Sequence, residues 1–221
     1  MRIISSVVFL KFLYVQRVSG FTPPSEPFLD PEALSEYKRL LAECRSYLEF
    51  GSGGSTLLAA RLEKPTLSVE CDRFFAASVR KAIGVAKAVE VIDVSIGLTR
   101  EWGHPVFTRP TPERLKRWRR YSEAPFVKIA ERGVFPDFVL VDGRFRRACA
   151  LRTAAAAAAA GMPVTIMIDD YLDGRDHYHS VEKFLGAPRK VGRAGIFEIG
   201  PGGPQRIPGP ADLDEAASDY R

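Results

Sequence analysis

A glycine-rich turn in the first quarter of the chain constrains the fold most strongly. The segment EFGSGGST, residues 49–56, follows an apolar run and precedes a helical pattern. Glycine lets the backbone approach a ligand closely, and the free N–H groups at the start of the next helix point into the same space. Glu70 follows about 20 residues later, where a carboxylate can accept hydrogen bonds from both ribose hydroxyls. This order predicts a pocket for a nucleoside-containing cofactor.

Length and composition fit one domain with extensions, since the chain has 221 residues and a net charge of only +5. Much of the positive excess falls in residues 114–120, so the charge does not by itself indicate nucleic acid. The three cysteines, Cys44, Cys71 and Cys149, form neither a metal-ligand spacing nor a disulfide framework. We therefore expect a reducing compartment and a cytoplasmic location.

Residues 1–24 are an N-terminal extension whose first 18 residues are apolar. Lys11 interrupts this run, which is shorter than the roughly 20 residues of a membrane-spanning helix. A mobile or targeting segment and a packed strand both remain open for the extension. No other segment is long and apolar enough to span a bilayer, so we expect no stable membrane insertion.

Apolar runs and helical patterns alternate along residues 25–200, the predicted domain. Strands are expected within residues 45–50, 66–70, 88–94, 138–141 and 163–168, and helices over 34–47, 55–62, 72–82, 112–122, 124–132, 146–160 and 176–185. Two more strands, 189–191 and 195–199, would form a closing hairpin. The predicted fold is α/β, a three-layer sandwich around a mostly parallel seven-stranded sheet with a C-terminal antiparallel hairpin strand. Residues 201–221, rich in proline, glycine and acid, are expected to be a mobile tail.

With these motifs the chain resembles the class I S-adenosylmethionine-dependent methyltransferases over residues 40–200. The resemblance rests on residues 49–53, on the acids Glu70 and Asp93 after the next two strands, and on residues 139–142. It implies S-adenosylmethionine as cofactor, with the turn against its methionine part, Glu70 on its ribose and Asp93 on its adenine. The predicted cofactor-binding residues are Glu49, Gly51, Ser52, Gly53, Glu70 and Asp93.

A nicotinamide cofactor fits the turn less well. The dinucleotide fingerprint has glycine at its first, third and sixth positions, and the sixth position here is Thr56. Glu49 would repel a pyrophosphate but suits a cationic sulfonium. Each feature also has a purely structural reading, such as a tight turn at Gly53 or a solvated acid at Glu70. The glycine turn, Glu70 and Asp93 follow three successive predicted strands, and together they favour the cofactor pocket.

Three acids follow the fourth and fifth predicted strands, beside the expected cofactor site. Asp142, Asp169 and Asp170 have a spacing similar to the metal ligands of the catechol and caffeoyl-CoA type O-methyltransferases, which implies a possible Mg²⁺ site. Two departures weaken that likeness: Asp170 replaces an asparagine, and residues 143–146 lack the lysine base. Asp142 as a helix cap is the structural alternative. We expect Asp142 and His177 as catalytic residues that help to remove a proton.

Arginines at residues 144, 146 and 147 suit an acceptor with a carboxylate or phosphate, or are exposed residues at a helix start. The basic residues 114–120 spread around a helix, and no nucleic-acid-binding module accompanies them, so nucleic acid is not expected as a partner. The predicted function is methyl transfer to a small-molecule acceptor, with a homodimer left open. A non-catalytic binding protein, an aminopropyltransferase and a nicotinamide-dependent oxidoreductase are the alternatives.

Overall fold

The architecture is taken from a computed structural model that describes residues 6–220. Its strands are β1 (Tyr47–Phe50), β2 (Thr66–Glu70), β3 (Val89–Asp93), β4 (Thr99–Arg100), β5 (His104–Pro105), β6 (Phe138–Val141), β7 (Val164–Ile168), β8 (Arg189–Val191) and β9 (Ala194–Ile199). Its helices are α1 (Ser6–Tyr14), α2 (Pro31–Glu43), α3 (Gly54–Arg61), α4 (Arg73–Ile83), α5 (Pro112–Arg132), α6 (Arg146–Ala160), α7 (Asp176–His179), α8 (Glu182–Leu185) and α9 (Pro210–Ala217).

Seven strands form one sheet in the order β3-β2-β1-β6-β7-β9-β8, and β4 pairs with β5 in a separate small hairpin. The first five strands of that order run parallel, and β9 pairs antiparallel with both β7 and β8. Every residue of the central strands β1 and β6 is buried, as expected where helices cover both faces of a parallel sheet. The predicted α/β fold with its closing antiparallel hairpin is confirmed.

Side chains alternate between the two faces of the sheet and define the three layers. Phe50 and Val141 belong to the core that also contains residues of α5 and α6. Tyr47 and Leu140 face the opposite way, into the core formed with α2. The alanine-rich α6 fits this scheme because small side chains allow a helix to pack closely, and its residue Ala154 is fully buried. All strand ends that carry the predicted site residues therefore meet at one edge.

Two helical predictions differ from the structure. Helices were expected over residues 112–122 and 124–132, but α5 is continuous and contains Pro125. A proline inside a helix removes one backbone hydrogen bond, and here burial of Trp118, Tyr121 and Pro125 itself opposes that cost. The helix expected over residues 176–185 is instead the two short helices α7 and α8.

The N-terminal extension packs on the domain through the residues after α1. Gln16 is buried, and its side-chain amide donates to the carboxylate of Asp72 at 2.5 Å. The ring of Phe21 lies edge-on to Phe75 of α4, with 5.4 Å between centroids. Residues 1–5 of the extension lie outside the described residues. Within residues 6–220, no helix combines the length and apolar composition needed to cross a bilayer.

The C-terminal residues were expected to be mobile, and this prediction is wrong for residues 210–217. They form α9, which begins with Pro210 after Gly209 and packs against α5 and α6. Leu213 and Ala216 are buried, and the ring of Tyr220 lies 6.3 Å from that of Trp118. Composition alone misled the prediction, since proline at the first helical position and apolar residues three apart indicate a docked helix.

Replacement of Leu213 by alanine should therefore destabilise the whole domain. We expect a loss of about 2 kcal/mol in the free energy of unfolding, at the lower end for a buried leucine because the helix is terminal. Leu172→Ala, at a leucine that is 44% exposed, is the matched control and should change little. Urea unfolding of the three proteins measures the effect, and equal midpoints would mean that α9 does not contribute to the fold.

Candidate functional site

The loops after β1 and β6 touch backbone against backbone. Gly51 has a φ of +100°, and a Cβ at this position would lie 2.8 Å from the backbone nitrogen of Gly143. A Cβ at Gly143 would collide with the hydroxyl oxygen of Tyr121. The contact therefore requires glycine on both loops. Sequence reasoning assigned a role to Gly51 but missed Gly143, whose only signal was its position directly after a strand-end acid.

Glu70 joins the end of β2 to the glycine turn. Its Oε1 accepts hydrogen bonds from the backbone N–H groups of Cys71 at 2.7 Å and Asp72 at 2.9 Å. Its Oε2 accepts from the N–H of Ser52 at 3.1 Å. Burial raises the pKa of Glu70, and these N–H groups act in the opposite direction. The structure thus brings together Gly51, Ser52, Gly53 and Glu70, four of the predicted cofactor residues.

Glu49 supports the turn from inside the protein. It is fully buried, and its carboxylate accepts hydrogen bonds from Tyr47 Oη at 3.0 Å and from Thr56 Oγ1. Thr56 Oγ1 in turn accepts from the N–H of Gly53 at 2.9 Å. Burial raises the pKa of Glu49. Because it has no exposed surface, Glu49 is placed to hold the turn rather than to contact a ligand.

Asp93 lies apart from the other predicted cofactor residues. It is the last residue of β3 and pairs in register with Glu70 along the backbone. Its side chain, however, forms an ion pair with Arg80 of α4 and is 41% exposed. The described geometry gives Asp93 a partner on a neighbouring helix, and its predicted contact with adenine stays a prediction.

The three acids after β6 and β7 are paired with arginines. The ion pairs are Arg146 Nη2–Asp142 Oδ1 at 3.0 Å, Arg146 Nη1–Asp170 Oδ2 at 3.5 Å, Arg175 Nη1–Asp170 Oδ2 at 3.3 Å and Arg193 Nε–Asp169 Oδ1 at 3.0 Å. The side chain of Arg146 is only 4% exposed, and that of Asp169 only 2%. We call this set of six residues the acid–arginine network. Arg193, in the turn between β8 and β9, carried no signal that sequence reasoning could use.

The network bears on the predicted Mg²⁺ site of Asp142, Asp169 and Asp170. Across residues 6–220, no group of three or more histidine, cysteine or acidic side chains is arranged to hold a metal ion. A divalent cation needs carboxylate oxygens that converge, whereas these oxygens are bonded to guanidinium groups. The donor set therefore does not fit a metal ion.

Asp142 differs from an ordinary surface acid. Withdrawal from water and the nearby carboxylates of Asp169 and Asp170 raise its pKa to about 7, although Arg146 acts in the opposite direction. Its side chain remains 32% exposed. A carboxylate with a pKa near neutrality can accept a proton and release it again at physiological pH. Asp142 is thus a candidate general base, and its catalytic role stays a prediction.

His177 lies at the start of α7, with its ring 4.1 Å from that of Tyr178. Tyr178 packs under the guanidinium of Arg146, at 5.7 Å from the ring centroid. Tyr178 is also buried, which fixes the position of this short helix. The described contacts of His177 therefore connect it to the packing of α7, and its catalytic role stays a prediction.

A strap formed by residues 26–30 crosses the site between its two ends. At one end, a Cβ at Gly54 would collide with the carbonyl oxygen of Glu26, so the strap lies directly on the start of α3. At the other end, the backbone N–H of Arg193 donates to Asp30 Oδ2 at 2.9 Å, and the Arg193 guanidinium donates to the carbonyl oxygen of Phe28. The strap therefore connects the glycine turn to the acid–arginine network.

Two exposed aromatic rings lie near each other, and one of them, Phe28, lies 5.6 Å from the guanidinium of Arg193. Phe28 of the strap is 74% exposed and Trp102, in the turn between β4 and β5, is 78% exposed. Their ring centroids are 6.3 Å apart and the planes are tilted by 36°. Trp102 adopts a φ of +61°, which is unusual for a bulky residue and marks a constrained loop. The pair forms an apolar rim beside the polar network.

One of three comparisons with known proteins finds a relative of this chain. No protein-family model matches the chain, and no curated protein sequence matches it. Among solved structures, the chain is similar to a methyltransferase-like protein from Silicibacter pomeroyi DSS-3, with 38% sequence identity and a TM-score of 0.70. The match covers 90% of this chain and 100% of that one. The chain therefore belongs to the same methyltransferase-like family as that protein.

Proposed function

We propose that the protein transfers a methyl group from S-adenosylmethionine to a small-molecule acceptor. The observation that carries this proposal is the bonding of Glu70 to the glycine turn. Its carboxylate accepts from the N–H of Ser52, so the acid suited to a ribose and the turn suited to the methionine part belong to one site. The coarser assignment, a methyltransferase-like protein, rests on the family.

The residues present fit this cofactor. Apart from the chain neighbours of Gly53, no heavy atom of residues 6–220 lies within 4 Å of the position that a Cβ on Gly53 would take, so the turn faces open space. A pyrophosphate would need unpaired backbone N–H groups at the start of the helix. The N–H of Gly53 is not one of them, because it donates to Thr56 Oγ1. A cofactor without phosphates fits such a turn better than a dinucleotide does. When bound, S-adenosylmethionine supplies an activated methyl group on a sulfonium sulfur.

The chain's own residues then have three tasks. Glu70 orients the nucleoside, and the Gly51–Gly143 contact sets the distance between the glycine turn and the loop that carries Asp142. Asp142 accepts the proton that an amine or hydroxyl acceptor loses as it is methylated. The strap and the rim of Phe28 and Trp102 limit access of water and align the acceptor with the methyl group.

Replacement of Glu70 by glutamine should weaken S-adenosylmethionine binding by about 10- to 100-fold, because a charged hydrogen-bond acceptor for the ribose is lost. Calorimetric titration with S-adenosylmethionine and S-adenosylhomocysteine measures the effect, with NAD⁺ as a comparison ligand. Glu90→Gln is the matched control, since Glu90 is a partly exposed acid of β3 that pairs with Arg132. Unchanged affinity in a folded Glu70→Gln protein would contradict the proposed pocket, and tight NAD⁺ binding would favour an oxidoreductase.

Replacement of Asp142 by asparagine should lower the rate of methyl transfer by about 100-fold or more while leaving cofactor affinity unchanged. Below its pKa of about 7 the carboxyl is protonated and cannot act as a base, so the wild-type rate should rise with pH and level off above 7. The variant should lack that rise. Transfer of a labelled methyl group to a panel of small amines and hydroxyl compounds measures both.

The control for this experiment is Asp173→Asn, because Asp173 is an acid of the same region whose side chain is 88% exposed. It should keep the wild-type rate and the wild-type pH profile. If Asp142→Asn turned over normally, Asp142 would not be the base. If wild-type protein bound the cofactor but methylated nothing in the panel, a non-catalytic binding protein would be favoured.

A further inference from the structure

One arginine beside the acid–arginine network forms no ion pair within residues 6–220. Arg146, Arg175 and Arg193 form ion pairs with the three acids of the network. Arg144 lies two residues before α6, and among residues 6–220 no carboxylate is within 4.0 Å of its nitrogens. Within the described residues, Arg144 therefore has no counter-charge.

The surroundings of Arg144 make the lack of a counter-charge energetically unfavourable. Its side chain is half-buried, and its Nε is enclosed without a hydrogen-bond partner in the described residues. Its Nη1 lies 3.2 and 3.1 Å from the two ring nitrogens of His104. Burial and the neighbouring guanidinium lower the pKa of His104 to about 4, so this partner is neutral near pH 7. A partly buried cation beside a neutral ring is stabilised by an incoming anion.

Arg144 also lies where an acceptor would be held. It follows Gly143, which touches Gly51 of the cofactor turn. A Cβ at Gly103 would lie 3.8 Å from Arg144 Cγ and 2.6 Å from the sulfur of Cys71, the residue next to Glu70. Arg144 thus lies between the Glu70 side of the site and the β4–β5 hairpin, which carries Trp102 and His104.

We propose that Arg144 binds a carboxylate of the acceptor, so that the protein acts on a small carboxylic acid. This inference rests on the proposed function, because methyl transfer defines what the acceptor is. A sulfonium and Arg144 in one cleft repel each other, and a carboxylate between them relieves that repulsion. A guanidinium holds a carboxylate through two parallel hydrogen bonds, which also fixes its orientation. The exposed rings of Phe28 and Trp102 offer a surface to an apolar or planar body.

Benzoate is the probe for this site, and benzamide, its neutral isostere, is the ligand control. Both are titrated calorimetrically into wild-type protein, with and without saturating S-adenosylhomocysteine, and the ring signals of His104 are followed by NMR. The variants are Arg144→Gln, Arg144→Lys and the control Arg152→Gln, at an arginine of α6 that pairs with Glu123 of α5. Melting temperatures and S-adenosylmethionine affinities are measured for all of them.

We expect wild-type protein and Arg152→Gln to bind benzoate at least 10-fold more tightly than benzamide and to show shifted His104 signals. Arg144→Gln should lose benzoate affinity by about 10-fold or more, with unchanged cofactor affinity. The benzoate affinity of Arg144→Lys should lie between those of wild-type protein and Arg144→Gln. If Arg144→Gln fails to fold, Arg144→Lys and the His104 signals decide the question.

Equal benzoate affinity in wild-type protein and Arg144→Gln, or none in wild-type protein, would overturn the proposal. So would displacement of benzoate by S-adenosylhomocysteine together with weaker cofactor binding by Arg144→Gln, since Arg144 would then hold the cofactor's own carboxylate. Failure of the proposed function gives a different result, namely wild-type protein that does not bind S-adenosylmethionine, whatever benzoate does.

Discussion

The arrangement of the site depends on the close contact between Gly51 and Gly143. These glycines follow β1 and β6, neighbours at the centre of the sheet, where parallel register brings Phe50 beside Val141. Without side chains, the two loops meet at backbone distance. Ser52 and Glu70 then lie on one side of the contact, and Asp142 and Arg144 on the other. A larger residue at either position would push apart the two halves that any cofactor and acceptor must bridge.

Much of this arrangement is readable from the sequence because it is local. The turn after β1, the acid after β2 and the apolar run of β6 are each specified within a few residues, and parallel topology brings their ends together. The side-chain partners are not local. Arg193 reaches Asp169 from a hairpin 24 residues away, and Arg80 turns Asp93 toward α4. The C-terminal helix shows the same limit, since its composition suggested mobility while its contacts with α5 and α6 hold it in place.

The acid–arginine network shows why spacing alone misleads about metals. Asp142, Asp169 and Asp170 have the sequence positions of a ligand set, but Arg146 lies among them with only 4% of its side chain exposed. A guanidinium can neutralise and orient carboxylates as a cation does, and it brings fixed directions of hydrogen bonding. Burial and the other two carboxylates raise the pKa of Asp142 to about 7, against the opposing effect of Arg146. Residues from three loops thus determine both the arrangement of the acid–arginine network and the proton affinity of Asp142.

The two tryptophans lie in different environments, so intrinsic fluorescence reports separately on the core and on the site. Trp118 is fully buried in the core, and its indole N–H donates to the carbonyl oxygen of Ile96 at 3.3 Å. Trp102 is 78% exposed at the rim of the cleft. Since the sequence contains no other tryptophan, intrinsic fluorescence divides into a blue-shifted core emission and a red-shifted rim emission. A quencher in solution would reach only the second, so events at the cleft can be followed separately from the integrity of the fold, without any label.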